Sequence, residues 1–101
     1  MKLVGVTSCI AGLAHTPMAA RALENAGGKL GYTVNIEQQG AMGTIDELTL
    51  AQITAADIVL IASDRTIEGE DRFDGKKIVR VKIGQCVSSA EAVLKKIKDM
   101  I

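Results

Sequence analysis

The stretch that decides the fold lies at residues 57–63 and reads DIVLIAS. Its centre, Ile58–Ala62, is the longest uninterrupted apolar run of the chain. A short apolar run rich in β-branched residues is typical of a strand buried on both faces, and it is far too short for a membrane span of roughly 20 residues. Lys2–Ser8 is a second buried run, and residues 32–38 and 77–83 are predicted strands as well.

Helical patterns separate these strands. The first predicted helix covers residues 17–30, with Thr16 as its N-cap, Pro17 at its first position and Gly31 as its C-cap. A short helix is predicted from Thr49 to Ala55, because Thr49 and Gln52 have capping-box spacing. The same spacing at Ser88 and Glu91 predicts the start of the last helix. The remaining segments, 39–47 and 64–75, are predicted loops, with one helical turn at residues 70–73.

The order of these elements predicts an α/β fold of one domain, residues 1–101. Apolar strands that alternate with helices form parallel sheets covered on both faces, and right-handed crossovers favour a doubly wound arrangement. We expect a three-layer α/β/α, Rossmann-like fold with a four-stranded parallel sheet of order 2-1-3-4. Ligands of such sheets bind beyond the carboxyl ends of the strands at the switch point, here beside strand one.

Composition excludes several classes of function. Twelve basic residues balance twelve acidic ones, and only 2% of the 101 residues are aromatic. A nucleic-acid surface is therefore not expected, and the core should be aliphatic. The N-terminal residues leave no room for a secretory signal, and no segment is predicted to insert into a membrane, so we expect a cytoplasmic protein. The two cysteines are too few for a disulfide framework and lack zinc-site spacing.

Cys9 is the candidate nucleophile, because it falls where strand one ends and a run of small residues leads to the helix start. Backbone N–H groups in such a loop and the helix N-terminus favour an anion, and the same field favours the thiolate of Cys9. The arrangement suits covalent phosphoryl chemistry. The alternative is that Cys9 is a small buried core residue. Cys86 lacks such a loop and is interpreted as structural.

Other phosphate-binding patterns fit less well. The chain lacks G-x-x-x-x-G-K-[ST], and no G-x-G-x-x-G follows strand one. A Cys-x5-Arg phosphatase loop would need arginine where this chain has His15, so a phosphate carrier is favoured over a phosphatase. His15, the only histidine, either contacts the phosphate and tunes Cys9 or forms a hydrogen bond with the backbone.

The segment Cys9–Thr16, CIAGLAHT, resembles the phosphate loop of the fructose-family enzyme IIB of the bacterial sugar phosphotransferase system. The similarity extends over nearly the whole chain. Further matching segments are residues 18–20, 22–24, Glu37–Gly40, Gly43, Glu47–Thr49, Ile53, Ala55–Asp57, Asp64, Arg72–Phe73 and Gly75–Lys76. The chain departs from the family pattern at Ile10–Ala11, where Pro-Thr is common, and at Pro17 and Gln38.

The resemblance implies that Cys9 accepts a phosphoryl group from a phosphohistidine of enzyme IIA. Cys9 then passes it to a fructose or fructose-like sugar carried by the membrane enzyme IIC, on which the domain would dock at the inner face of the membrane. It implies no metal and no cofactor. The implied phosphate-binding residues are Ile10, Ala11, Gly12, Leu13, Ala14, His15 and Thr16. A Cys-dependent hydrolase resembling a small phosphatase or arsenate reductase, and a non-catalytic phosphate-sensing regulatory domain, remain alternatives.

Three features around the predicted site are open to interpretation. Ile10, Leu13 and Met18 could form an exposed apolar docking rim; the alternative is that Leu13 and Met18 pack inward, which is the favoured interpretation for Met18. Residues 39–43 either border the site or form a turn. The charged residues of 68–74, Arg72 among them, are expected to form a solvated face.

Overall fold

The computed structural model describes residues 2–8, 15–40, 43–63 and 66–99, which form a five-stranded sheet and three α-helices. In chain order, the elements are β1 Lys2–Ser8, α1 His15–Leu30, β2 Thr33–Gly40, β3 Gly43–Ile45, α2 Leu50–Ala55, β4 Ile58–Ser63, a 3-10 turn Glu70–Phe73, β5 Ile78–Val81 and α3 Ile83–Asp99. The four predicted strands and the predicted helical turn are confirmed, with strand ends shifted by at most two residues. Within the described residues, no helix is long and apolar enough to cross a membrane.

The strand order is β3-β2-β1-β4-β5, and four of the strands are parallel. These four reproduce the predicted order 2-1-3-4. The prediction of an all-parallel, four-stranded sheet is wrong at one edge, because β3 pairs antiparallel with β2 and makes the sheet mixed. Residues 39–47 are therefore not all loop. The three residues of β3 are exposed, so this strand carries no apolar alternation by which a sequence pattern could predict it.

Side chains of β1 alternate between two core clusters, one on each face of the sheet. Leu3 packs in the cluster with α1 and α3, and Val4 and Val6 pack in the cluster with α2. Every residue of β1 from Leu3 to Ser8 is buried, as expected for a central parallel strand. The expectation of an aliphatic core holds with one exception, since Phe73 is fully buried in the second cluster.

The start of α1 differs from the prediction, whereas its end agrees with it. The helix begins at His15, so Thr16 lies inside the first turn and is not the N-cap. At the other end Gly31 has a left-handed φ of 76°. The N–H of Tyr32 donates to the carbonyl of Gly27 at 2.8 Å, which is the long hydrogen bond of a Schellman motif. The predicted glycine cap is therefore confirmed.

The two capping boxes have different outcomes. Thr49 and Gln52 form both reciprocal hydrogen bonds, at 2.9 and 3.1 Å, and α2 follows directly. The predicted start of the last helix at Ser88 coincides with a break between two helical parts of α3, and the first part, which begins at Ile83, was not predicted. The backbone leaves helical geometry at Ser89, with φ −142° and ψ 39°. The serine pair thus lies at a kink inside α3, and local capping chemistry marked an interruption of the helix instead of its first residue.

Candidate active site

The switch point of the sheet lies at the carboxyl end of β1. The chain leaves β1 and returns through α1 to β2, which lies beside β1. After β3 it passes through α2 to β4, which lies beside β1 on its opposite edge. The crossover helices cover opposite faces, because α1 packs in the core cluster of Leu3 and α2 in that of Val4. Such a reversal opens a crevice beyond the strand ends. The last strand residue at this crevice is Ser8, and the predicted nucleophile follows it directly.

Most of the predicted phosphate loop lies outside the described residues. That part comprises Cys9, Ile10, Ala11, Gly12, Leu13 and Ala14. The backbone of His15 opens α1, and Thr16 is buried in its first turn, with 2% of its surface exposed. The hydroxyl of Thr7 donates a buried hydrogen bond to the carbonyl of Thr16, with 3.1 Å between the oxygen atoms. This bond holds the helix start against the strand end, so the described residues on either side of segment 9–14 lie close together.

The second cysteine of the chain, Cys86, has a thiol that is poorly suited to nucleophilic chemistry. Cys86 is fully buried in α3 and belongs to the core cluster that α1 and α3 form on one face. Burial raises the pKa of the Cys86 thiol to about 11, because the apolar surroundings disfavour the thiolate. A thiol of this kind is a poor nucleophile near neutral pH. Its predicted structural role is confirmed.

A buried ion pair joins β2 to the segment that follows β4. The carboxylate of Glu37, which is 1% exposed, accepts two hydrogen bonds from the guanidinium of Arg72 at 2.8 and 2.9 Å. It also accepts hydrogen bonds from the side-chain amide of Gln39 at 2.8 Å and from the backbone N–H of Leu48 at 3.0 Å. All these donors converge on one carboxylate, which therefore ties together three separate chain segments at this edge of the sheet.

The charge of this carboxylate is stabilised by its partners. Burial by itself raises the pKa of Glu37, but the hydrogen bonds from Arg72, Gln39 and Leu48 outweigh it, so that the pKa lies below its ordinary value. The pKa of Arg72 is raised in turn, chiefly through its hydrogen bonds with Glu37. Glu37 and Arg72 therefore stay ionised at neutral pH as a forked pair.

Gln39 connects this network to the switch point. It is aligned with Ser8 across the β1–β2 ladder. Its side-chain amide donates to the carbonyl of Glu68 at 2.8 Å, and its side-chain oxygen accepts from the N–H of Glu68 at 2.8 Å. The two bonds attach the segment after β4 to the end of β2. Gly40 pairs with Gly43 across β2 and β3, as the turn interpretation of residues 39–43 expects, and their role at the border of the site stays a prediction.

Two expectations about side chains near this edge are wrong. Arg72 was expected on a solvated face, yet it is mostly buried, with 21% of its side chain exposed, because its partner Glu37 lies inside. Of the two interpretations of Met18, the favoured inward packing is wrong, because Met18 is 51% exposed in the first turn of α1, as the docking-rim interpretation expects. Asp64 lies outside the described residues. Both errors concern contacts that local sequence does not encode.

Comparisons with known proteins agree with this architecture. The family model described as "PTS system, Lactose/Cellobiose specific IIB subunit" matches residues 4–96. A fructose-specific EIIB component of the phosphotransferase system (PTS) from Haloferax volcanii is 48% identical over 100 residues, which are 99% of this chain and 63% of that protein. This chain thus spans less than two thirds of that relative's length. The fructose-like EIIB component 2 of Escherichia coli K12 is 45% identical over 97 residues, which are 96% of this chain and 92% of its own.

A solved structure gives the same result. The solution structure of an enzyme IIB subunit of the phosphotransferase system from Escherichia coli K12 superposes with a TM-score of 0.92 at 37% identity. The match covers 98% of this chain and 92% of that one. Fold, family model and sequence identity all agree, and the chain therefore belongs to the enzyme IIB family of the sugar phosphotransferase system, among relatives of fructose type.

Proposed function

We propose that this chain is a phosphoryl carrier of a fructose-type sugar phosphotransferase system and that Cys9 holds the phosphoryl group. The observation that carries this proposal is the hydrogen bond between Thr7 and Thr16, which brings together the flanks of the Cys9 segment at the switch point. Of the two cysteines in the chain, Cys86 is buried with a thiol pKa of about 11. That leaves Cys9 as the thiol suited to nucleophilic chemistry.

The proposed reaction is an exchange of the phosphoryl group between two nucleophiles. The Cys9 thiolate attacks the phosphorus of a phosphohistidine on enzyme IIA. The S–P bond forms as the N–P bond breaks, and the imidazole nitrogen keeps the electron pair of the broken bond. A proton equivalent to the one lost by the thiol replaces the phosphoryl group on that nitrogen. Backbone N–H groups of residues 10–16 and the start of α1 would stabilise the phosphoryl oxygens.

In the second step, a hydroxyl of the sugar bound by the membrane enzyme IIC attacks the same phosphorus. The S–P bond breaks, the sulfur leaves as thiolate, and the sugar hydroxyl gives up its proton. Fructose or a fructose-like sugar is the proposed acceptor, supported by the relatives of fructose type. A carrier between enzyme IIA and a membrane partner would work at the cytoplasmic face, and we place this chain there.

A transfer assay tests the proposal. Purified chain is combined with labelled phosphoenolpyruvate, enzyme I, the histidine phosphocarrier protein, a fructose-type enzyme IIA, membranes that contain the cognate enzyme IIC, and fructose. We expect labelled sugar phosphate only when the chain is present, and none with Cys9→Ala. The matched control Cys86→Ala should keep the activity if it remains folded.

The same assay distinguishes the alternatives. Release of inorganic phosphate from an aryl phosphate by the chain alone would indicate a Cys-dependent hydrolase. Binding of the chain to charged enzyme IIA without transfer would indicate a regulatory domain. Either result would contradict the carrier function.

A further inference from the structure

One edge of the sheet is open along the first half of β2. The edge strand β3 pairs only with residues 38–40 of β2. It ends at Ile45, and the chain turns away at Asp46, which has a left-handed φ of 54°. Residues 33–37 therefore have β1 on one side and, within the described part of the chain, no strand on the other. The backbone groups of such an edge can pair with an added strand of another protein.

A groove of about 330 Å³ runs beside this open edge. Val34, Asn35 and Ile36 line it from β2, Glu24 lines it from α1, and Gln52 lines it from α2. The two helices cover opposite faces of the sheet, because α1 packs in one core cluster and α2 in the other. The groove therefore lies between them along the edge, in the place that an added strand would occupy.

The groove has an acidic lining with exposed apolar residues next to it. Its lining residues in the described part of the chain include the exposed carboxylates Glu24, Asp46 and Glu47, and none of them is a lysine or arginine. Ile45 directly precedes Asp46 and is 56% exposed, and Leu50, the first residue of α2, is 74% exposed. Exposed apolar side chains beside polar ones are typical of interaction surfaces. The carboxylates repel an acidic strand at this edge and attract a basic one.

We propose that the groove binds a basic, extended cytoplasmic segment of the membrane enzyme IIC as an added strand beside β2; this rests on the proposed function. Cytoplasmic loops of membrane proteins carry an excess of lysine and arginine, which complements the three carboxylates. The groove also lies away from the transfer site. Thr33 is aligned with Lys2 at the start of β1, and Gln39 is aligned with Ser8 at its end, about 20 Å further along. A segment bound beside Thr33 anchors the chain and leaves the carboxyl end of β1 accessible.

Charge substitutions at the groove test the proposal. The variant Glu24→Lys/Asp46→Asn weakens the attraction at two exposed positions, and asparagine tolerates the left-handed backbone at residue 46. In the transfer assay with membranes that contain the cognate enzyme IIC, the KM for the chain should rise roughly tenfold, with kcat unchanged. Uptake of the phosphoryl group from charged enzyme IIA precedes this contact and should keep its wild-type rate. Higher ionic strength should raise the KM of the wild type more than that of the variant.

A matched control and a second measurement complete the experiment. Glu91→Lys/Asp99→Asn makes the same change in net charge at two exposed positions of α3 that do not line the groove, and it should keep the wild-type KM. Amide hydrogen exchange of the wild type should slow in residues 33–37 when these membranes are added, because the added strand pairs with that edge. Membranes without enzyme IIC should leave the exchange unchanged.

Several results would overturn the inference. These are a wild-type KM in Glu24→Lys/Asp46→Asn, or slowed exchange only outside residues 33–37. A raised KM for enzyme IIA alone would assign the groove to the phosphoryl donor. A dimer of the wild type that the same variant abolishes would assign it to a second copy of the chain. Failure of the proposed function itself looks different, because the wild type would then take up no phosphoryl group from charged enzyme IIA.

Discussion

Replacing Glu37 with glutamine removes the negative charge of a buried ion pair while keeping the size of the side chain. The change leaves the Arg72 guanidinium, 21% exposed, without its counter-charge and weakens the acceptor for the Leu48 N–H. Breaking a buried pair by removing one partner costs about 3–5 kcal/mol. Because Arg72 keeps some contact with water, we expect a loss at or just below the lower end of that range, about 2–3 kcal/mol.

The expected loss is large relative to the whole stability of a domain this size, about 5–15 kcal/mol. Each kcal/mol shifts the thermal midpoint of a domain of 60–100 residues by roughly 4–8 °C. The thermal midpoint of Glu37→Gln should therefore lie about 10 °C or more below that of the wild type. Urea denaturation at pH 7, followed by far-UV circular dichroism, gives the free energy directly. The control Glu24→Gln changes an exposed carboxylate in α1 and should stay within about 0.5 kcal/mol of wild type.

A double-mutant cycle tests whether the charge pair is the cause. Arg72→Met keeps an apolar stem beside Phe73, over whose ring the guanidinium lies at 5.0 Å. In Glu37→Gln/Arg72→Met no charge is left unpaired, so the double variant should lose less stability than the sum of the two single ones, by about 1–3 kcal/mol. Single effects that add within about 0.5 kcal/mol would refute the argument that the ion pair organises this edge of the sheet.

Two further predictions concern the same part of the molecule. The pKa of Glu37 is lowered in the folded chain, so its contribution to stability is present above its ordinary pKa of 4.5 and is lost as the pH falls through the folded-state value. The free energy of unfolding should therefore drop as the pH falls below about 4.5, with a shallower drop in Glu37→Gln; identical slopes in both proteins would contradict this. Gly27→Ala should destabilise by about 1–3 kcal/mol in urea denaturation, because a Cβ there would lie 2.3 Å from Cγ2 of Val34. The adjacent Gly28→Ala meets nothing within 4 Å and should stabilise α1 by about 0.5–1 kcal/mol, so equal effects at the two positions would refute the close packing of α1 on β2.

The sequence was most informative where structure depends on nearby residues. Buried parallel strands are continuous apolar runs, and for this reason DIVLIAS and Lys2–Ser8 predict two neighbouring central strands correctly. The Gly31 cap and the Thr49 capping box depend on residues within one or two turns, and both are present. The exposed strand β3 has no apolar pattern and gains its partner only from the sheet.

The errors share a physical cause. Arg72 and Glu37 are 35 residues apart, so no local pattern reveals that one is drawn inward by the other. Thr16 and Ser88 have residue types typical of helix starts, but α1 begins one residue before Thr16, and Ser88 lies beside a kink inside α3 instead of at its first residue. Topology puts the switch point of the sheet at the carboxyl end of β1, beside the predicted Cys9 site, and the site itself stays a prediction.

The most direct test of the central claim is the intact mass of the protein after incubation with phosphoenolpyruvate, enzyme I, the histidine phosphocarrier protein and a fructose-type enzyme IIA shown to be charged. We predict that the wild type and Cys86→Ala each gain the mass of one phosphoryl group and that Cys9→Ser gains none. Peptide mapping should place the group on Cys9. A wild type that stays unmodified by charged enzyme IIA, or a Cys9→Ser variant modified to the same extent as the wild type, would contradict the account.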